Sequence, residues 1–535
     1  MRERNPLILA DYVAGKAEKK PDHLVVTFEG AGVREDETRT YQQLFDNGNR
    51  VAAAFIERGM ARGDRFATLM QNHPEFIECL LGASISGCVA VPIDPRTRGD
   101  KLAYTLNNSE ARGVVCALYS LPQVIDVAPS VPTLEWVLVL EDAEGGGHAS
   151  LQDLPIAESF DSVYSRPARV VDVRLQSAED PLQIIYTSGT TGDPKGVVFA
   201  NVRFGGAMMG GAMFQWQPGD SPYTGLSLTH GNAQLLTLAP AMGMDLPVVI
   251  SRKFTKSRLW DITRKYNCTI FNLLGGMATA VYSEPERPDD GDNPVRLVLS
   301  AGMPQAIWRN FEKRFNVRIF EMYGAIEGGM ALNPPGVGPV GSFGKAPPNL
   351  EIRIVDEQGR TCAPGELGEL VSRPADGSGV RVEYFRNPQA SKQKTEGGWL
   401  HSGDICHQDE EGWLYFDFRK GGGIRHNGDF INPGFVEKVL AEDPQITDVF
   451  VYGVPAASGS PGERDVVAAV VAVDPARFDP QKVFARCRTE LEANFVPSYL
   501  QVVEEIPKTA SEKPQERFLL ERFAVDAAGV YSPGR

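Results

Sequence analysis

The feature that most constrains this chain is the way helical periodicity and strand-sized apolar runs take turns. Over Tyr41–Arg58 the apolar residues Leu44, Val51, Ala54 and Phe55 recur at helical spacing. Arg65–Met70 then reads as a strand, Pro74–Ser86 as a helix, and Val89–Ile93 as a strand closed by Asp94-Pro95. Such alternation implies a parallel sheet with helices on both faces, an α/β fold with doubly wound sheets. Functional loops in folds of this kind lie at the carboxyl ends of strands.

The pattern changes further along. Glu351–Val355, Glu369–Ser372 and Trp413–Phe416 are short β patterns broken by Gly and Pro, which predicts a small β-rich subdomain over about 345–419. Arg419-Lys420 is followed by Gly421-Gly422-Gly423, and three consecutive glycines have the backbone freedom of a hinge. Beyond them strand and helix patterns return at Val449–Val454, Val466–Val473, Pro480–Asn494 and Leu500–Val503, enough for an α+β domain of its own. The expected organisation is an N-terminal domain over 1–419, a hinge at 420–423 and a C-terminal domain over 424–535.

Charge and cysteine usage narrow the function classes. Lysine and arginine number 54 against 69 aspartates and glutamates, a net charge of −15, which disfavours general nucleic-acid or anionic-membrane binding. The longest apolar runs, such as Cys88–Ile93 and Val466–Val473, are too short to span a bilayer, and the first residues do not read as a signal peptide. The seven cysteines form no CxxC pair, which argues against a disulfide framework or a zinc site and predicts reduced thiols in a cytoplasmic protein.

The chemistry concentrates after one strand. Gln183–Tyr186 is a buried-strand pattern that runs into Thr187-Ser188-Gly189-Thr190-Thr191-Gly192-Asp193-Pro194-Lys195-Gly196. Glycines let a backbone approach an anion closely, and hydroxyls with exposed N–H groups wrap phosphate oxygens. Lys195 adds a mobile charge. This is not a Walker A loop, which needs Gly-Lys followed by Ser or Thr. The segment resembles the phosphate loop of the adenylate-forming superfamily, which includes acyl-CoA synthetases, peptide-synthetase adenylation domains and luciferases. Its companions follow in order. Tyr323-Gly324-Ala325-Ile326-Glu327 resembles Tyr-Gly-x-Thr-Glu, and Trp399–Asp404 resembles Trp-x-x-Thr-Gly-Asp. Pro507-Lys508-Thr509 through Lys513 and Arg517 resembles the closing Pro-Lys-Thr-x-x-Gly-Lys-x-x-x-Arg. Within the superfamily the chain looks most like medium or small carboxylic-acid CoA ligases, notably crotonobetaine/carnitine-CoA ligases.

The resemblance implies a two-step reaction with ATP, Mg²⁺ and CoA. A carboxylate attacks the α-phosphate to give acyl-adenylate and pyrophosphate; a thiol then displaces AMP. Neither step needs a nucleophilic side chain, so the protein's task is alignment and charge stabilisation. The resemblance assigns Glu327 to Mg²⁺, Asp404 to the ribose hydroxyls, and Arg419 to ribose or phosphate. Ala301 and Gly302, in Ser300–Pro304, would border the adenine, with Met322, Tyr323 and Gly324 beside it and Tyr323 stacking. Thr187 and Lys195 join the phosphate loop, and His230 would line the carboxylate site. Lys513 would stabilise the adenylating transition state as an exposed, protonated lysine on a mobile C-terminal domain.

Several positions depart from the family pattern: Ile326 replaces a phosphate-binding Thr, Glu512 a Gly, Gly422 a charged hinge residue, and Asp429 a Glu; Phe418 stands where Asp usually precedes the Arg. Two other functions stay open: loading of a carrier-protein thiol, and non-catalytic nucleotide binding. Stretches expected around the acid, Met208–Phe214, His230–Gln234, Leu274–Met277 and Met322–Met330, are small, apolar and Met-rich, which favours an apolar or weakly polar acid. The expected partners are a small-molecule carboxylic acid, ATP and CoA, with no nucleic acid and no integral membrane segment, and a homodimer is compatible with this class.

Overall fold

The computed structural model describes residues 3–31, 35–141, 149–187, 194–420, 423–426, 429–431, 433–457, 464–491, 493–509 and 512–533. It comprises two compact units, one of residues 1–272, 294–296 and 381–393, the other of 273–293, 297–380 and 394–535. The expected α/β class holds.

In the first unit a seven-stranded sheet runs in the order Ala157–Ser159, Trp136–Leu140, Ala111–Ala117, Arg65–Leu69, Val89–Ile93, Pro181–Thr187, Lys195–Ala200. All neighbours but the last pair are parallel. Ala67, Val91, Val114 and Val137 sit in register across four strands and form a dry core with Leu102, Leu106 and Val124. The helix expected from Tyr41 runs Tyr41–Glu57. Thr40 caps it reciprocally with Gln43, satisfying two backbone N–H groups that would otherwise lack partners. Its buried face carries Leu44, Val51, Ala54 and Phe55, as the spacing predicts. The helix Pro74–Ser86 is buried along its whole length. These two helices approach closely because Gly48 and Gly82 lack side chains; a Cβ at Gly82 would lie 2.4 Å from Val51 Cγ1. A second group of strands pairs in the order Glu37–Thr40, Leu24–Glu29, Val248–Ser251, Pro222–Thr224, Ile270–Leu274.

The phosphate-loop segment departs from the parallel pattern. Pro181–Thr187 pairs antiparallel with Lys195–Ala200, Thr187 opposite Lys195. Seven residues, 188–194, join these strands. A parallel return needs a dozen or more, so only a hairpin fits. Ser188, Gly189, Thr190, Thr191 and Gly192 lie outside the described residues.

In the second unit Leu297–Ala301 and Arg318–Ala325 pair in parallel, and Arg318–Ala325 turns back on Gly328–Asn333 through Ile326-Glu327, a two-residue hairpin loop. The β-rich region is a four-stranded antiparallel meander, Leu350–Val355, Gly368–Pro374, Leu400–Gln408, Leu414–Arg419. Its third strand holds the Trp399–Asp404 motif, whose polar residues mask the strand alternation in the sequence. The C-terminal elements Ile446–Pro455, Arg464–Ala472, Tyr499–Val502 and Val530–Tyr531 form a mixed sheet against helices Pro433–Ala441 and Pro480–Glu490. The second helix is shorter than expected: Leu491 is already extended, at φ −115° and ψ 153°. Gly421 and Gly422 of the hinge segment lie outside the described residues.

Candidate nucleotide site

Asp404 lies on strand Leu400–Gln408 directly opposite Arg419, the last residue of Leu414–Arg419. That cross-strand register brings carboxylate and guanidinium together, with Arg419 Nη1 2.7 Å from Asp404 Oδ1. The Tyr323 hydroxyl donates to the other carboxylate oxygen at 2.5 Å. The Tyr323 ring rests against Phe343, 4.9 Å between centroids. Asp404 is therefore buried and fixed from both sides, while the Arg419 side chain keeps 44% exposure. Gly403 precedes it in the left-handed region, at φ +79°, and the Asp404 N–H is held by Ser402 Oγ at 2.9 Å. A backbone set in this way aims a carboxylate reproducibly.

Three further charges surround this pair. Glu327 sits at the hairpin tip after Tyr323. Lys513 and Lys394 both feel Glu327, Asp404 and Arg419 electrostatically. Lys513 is not the ordinary surface lysine the sequence suggests. Its surface is open to solvent, yet dense protein surrounds it, and that desolvation, with Arg419 next, lowers its pKa from the usual lysine range. Lys513 ends a tight turn: its N–H donates to Thr509 Oγ1 at 3.1 Å and its carbonyl accepts from Thr509 N–H at 2.8 Å. Glu512 in that turn has φ +58°. The family's glycine at this position has a plain physical reason, since a left-handed conformation strains any residue with a Cβ.

The Ser300–Pro304 segment leaves strand Leu297–Ala301, and Gly302 adopts φ +91°. The Glu321 carboxylate, fully enclosed on the neighbouring strand, accepts from Gly302 N–H at 2.5 Å and from Met303 N–H at 3.2 Å. Burial raises its pKa to about 7, against the pull of those N–H groups. Met322 is buried and Gly324 exposed on the same strand.

In the first unit Thr187 Oγ1 donates to the Lys195 carbonyl at 3.3 Å, and Lys195 Nζ stands over the Tyr384 ring at 5.7 Å. His230 is half-buried after a turn in which its N–H donates to Ser227. Lys513, Glu327, Asp404, Arg419 and Tyr323 thus converge in one unit, whereas Thr187, Lys195 and His230 belong to the other.

Two residues of the candidate site carry no motif. Lys394 ends helix Pro388–Lys394 and donates to the Ser402 carbonyl at 3.0 Å. Glu321 is an acidic residue inside an apolar run, Ile319-Phe320-Glu321-Met322, and that interruption is the signal that would have found it. Among the described residues no three His, Cys, Asp or Glu side chains group as metal ligands. Mg²⁺ held chiefly by phosphate oxygens needs only one or two carboxylates, so Glu327 alone fits that use. All seven cysteines are free, and among the described residues no helix is long and apolar enough to cross a membrane.

Residues 13–382 match the AMP-binding enzyme family, and 436–513 match the AMP-binding enzyme C-terminal domain. The chain is 32% identical, over 91% of its length and 92% of the relative's, to the medium/long-chain-fatty-acid–CoA ligase FadD17 of Mycobacterium marinum. It is 28% identical, over 89% of its length and 91% of the relative's, to the crotonobetaine/carnitine–CoA ligase of Salmonella enteritidis. Its fold matches the anthranilate CoA ligase AuaEII in complex with anthranoyl-AMP, with a TM-score of 0.81 over 96% of both chains at 22% identity.

Proposed function

The chain belongs to the AMP-binding enzymes, and from that premise we propose that it joins an apolar or weakly polar carboxylic acid to CoA through an acyl-adenylate. The observation that carries this is the convergence of Asp404, Tyr323, Glu327 and Lys513, residues from three separate sequence motifs, with Arg419 in one cluster. A carboxylate held by Tyr323 and Arg419 retains lone pairs for ribose hydroxyls. Lys513 opposes negative charge that builds on the α-phosphate as the acid attacks, and Arg419 keeps the neighbouring phosphate or ribose in line. Mg²⁺, when bound, neutralises phosphate oxygens and would be held by Glu327. The name of the 32% relative supports a medium- or long-chain acid, and the apolar stretches around Met208 and Leu274 suit one.

Lys513 and the incoming thiol would approach the same carbonyl carbon, so the two steps call for two placements of the C-terminal domain. We place that rotation at 420–423, on the sequence of three glycines. Free thiols fit a reducing compartment, and we assign the enzyme to the cytoplasm.

Pyrophosphate release measured over a panel of carboxylic acids, with and without CoA, tests the reading. We expect release with medium or long apolar acids and thioester only when CoA is present. Lys513→Ala should lower acid-dependent pyrophosphate release by about 10²–10³-fold, the usual loss for one preorganised charge. It should affect thioester formation from presynthesised acyl-adenylate far less. No release with any acid would end the proposal, and equal loss in both steps would end the role of Lys513.

A further inference from the structure

We propose that Lys394 is a second phosphate-binding cation of this site and makes the contact that Ile326 cannot. The inference rests on the nucleotide-site reading above and assigns a residue that no motif marks.

Lys394 Nζ and Arg419 Nη1 both donate to one acceptor, the Ser402 carbonyl, at 3.0 and 3.3 Å. Two cations drawn to one carbonyl repel each other, and such an arrangement is favourable when an anion joins them. The protein carboxylates nearby are largely committed. Asp404 is held by Arg419 and Tyr323. Glu369 is held by Lys420 at 3.2 Å, by His401 at 3.3 Å and by the Gly403 N–H at 3.0 Å. That leaves Glu327 facing both Lys394 and Lys513. With the Arg419–Asp404 and Lys420–Glu369 pairs balanced, the ammonium groups of Lys394 and Lys513 meet Glu327, and these residues together carry a positive surplus.

The anion that fits is a phosphate of the nucleotide. An ammonium has three donors, and the Ser402 carbonyl takes one. Ile326 adjoins Glu327 at the hairpin tip and offers no side-chain donor. Where the family has a threonine hydroxyl, this chain therefore has apolar surface, and Lys394 in the same charge cluster supplies the replacement.

AMP and adenosine separate this role from a merely structural one, because only AMP carries the phosphate. Calorimetric titration of the full chain should show wild type binding both. Lys394→Met should weaken AMP about tenfold or more while adenosine stays within about twofold. Lys394→Arg should hold AMP near wild type, and adding Ile326→Thr to Lys394→Met should recover part of the loss. Should Lys394→Met not fold, Lys394→Gln, which keeps a donor for Ser402, must show the same split. Unchanged AMP affinity, or parallel loss of AMP and adenosine, would overturn the proposal by reducing Lys394 to a prop for the Ser402 strand. Wild type that binds neither nucleotide would instead sink the site reading itself.

Discussion

Among the described residues two carboxylate–tyrosine–arginine clusters stand out, one in each unit, and their chemistry is nearly the same. In the second unit Asp404 lies between Tyr323 and Arg419. In the first, Glu78 accepts from Arg39 Nε at 2.6 Å, from Asn47 at 2.7 Å and from the Tyr164 hydroxyl at 2.6 Å. Tyr164 also lies 2.8 Å from Glu75. The two carboxylates share that one hydroxyl, and burial and the Glu78 charge raise the Glu75 pKa. What separates the clusters is access. Glu78 has 0% side-chain exposure and Arg39 15%, against 44% for Arg419. The Glu78 cluster is closed and serves the packing of helix Pro74–Ser86. The Asp404 cluster is open on its arginine side and carries extra lysines. The lesson is that residue types alone do not distinguish a structural triad from a binding one; exposure and leftover charge do.

The sharpest way to break the comparison is to cut each cluster and read both binding and stability. Asp404→Ala removes the two ribose contacts proposed here, each worth roughly 1.5–3 kcal/mol as a charge-assisted bond. ATP affinity by calorimetry should fall by two orders of magnitude or more with only a small change in Tm. Unchanged affinity would remove Asp404 from the site. Arg39→Ala should do the reverse. Leaving a buried carboxylate without its cation costs about 3–5 kcal/mol, so the denaturation midpoint should drop sharply while ATP affinity of the folded protein stays put. Weakened binding at unchanged stability would refute the division of labour.

Glu321 joins the two behaviours, since it is buried like Glu78 but holds the strand end proposed for adenine. Burial raises its carboxyl pKa to about 7 in the folded protein, against an ordinary glutamate value of 4.5. Between those values the unfolded chain has lost the proton and the folded chain keeps it. Stability is thus fully present below pH 4.5 and is lost as pH rises to about 7, by up to ~3 kcal/mol. Glu321→Gln should flatten that slope in denaturant titrations at several pH values. An unchanged slope would assign the pH dependence elsewhere. The smallest effect belongs to the turn at Lys513. Glu512→Gly relieves a left-handed residue, and the gain, offset by the added freedom of glycine when unfolded, should not exceed ~1 kcal/mol. Loss of stability on that change would show that Glu512 makes a contact outweighing its strain.

Much of the candidate site was legible as local strings, because the phosphate and ribose contacts proposed here call for particular residue types at fixed spacing on one strand or turn. Thr187, Tyr323, Glu327, Asp404 and Lys513 stand in such local strings. The parallel core was legible for a similar reason: Arg65–Leu69 and Val89–Ile93 are apolar runs of strand length. The antiparallel strand Lys195–Ala200 was not, because a glycine- and hydroxyl-rich loop hides where a strand resumes. Helix Pro74–Ser86 was legible as a helix, but its burial on every side was not, and nothing in the sequence singles out Glu75 and Glu78.

The sequence by itself determined the class of fold, the family and the chemical kinds of group in the candidate site, since each depends on periodicity or on neighbours within about ten residues. The tertiary structure decided which of those groups meet. It set Arg419 across from Asp404, brought Lys394 to the carbonyl Arg419 already uses, wrapped Gly302 and Met303 around Glu321, and joined Tyr164 to a carboxylate 86 residues away. Those contacts depend on strand register and helix packing between distant segments. Their energies arise only when burial removes water from charges that, on the extended chain, are independently solvated.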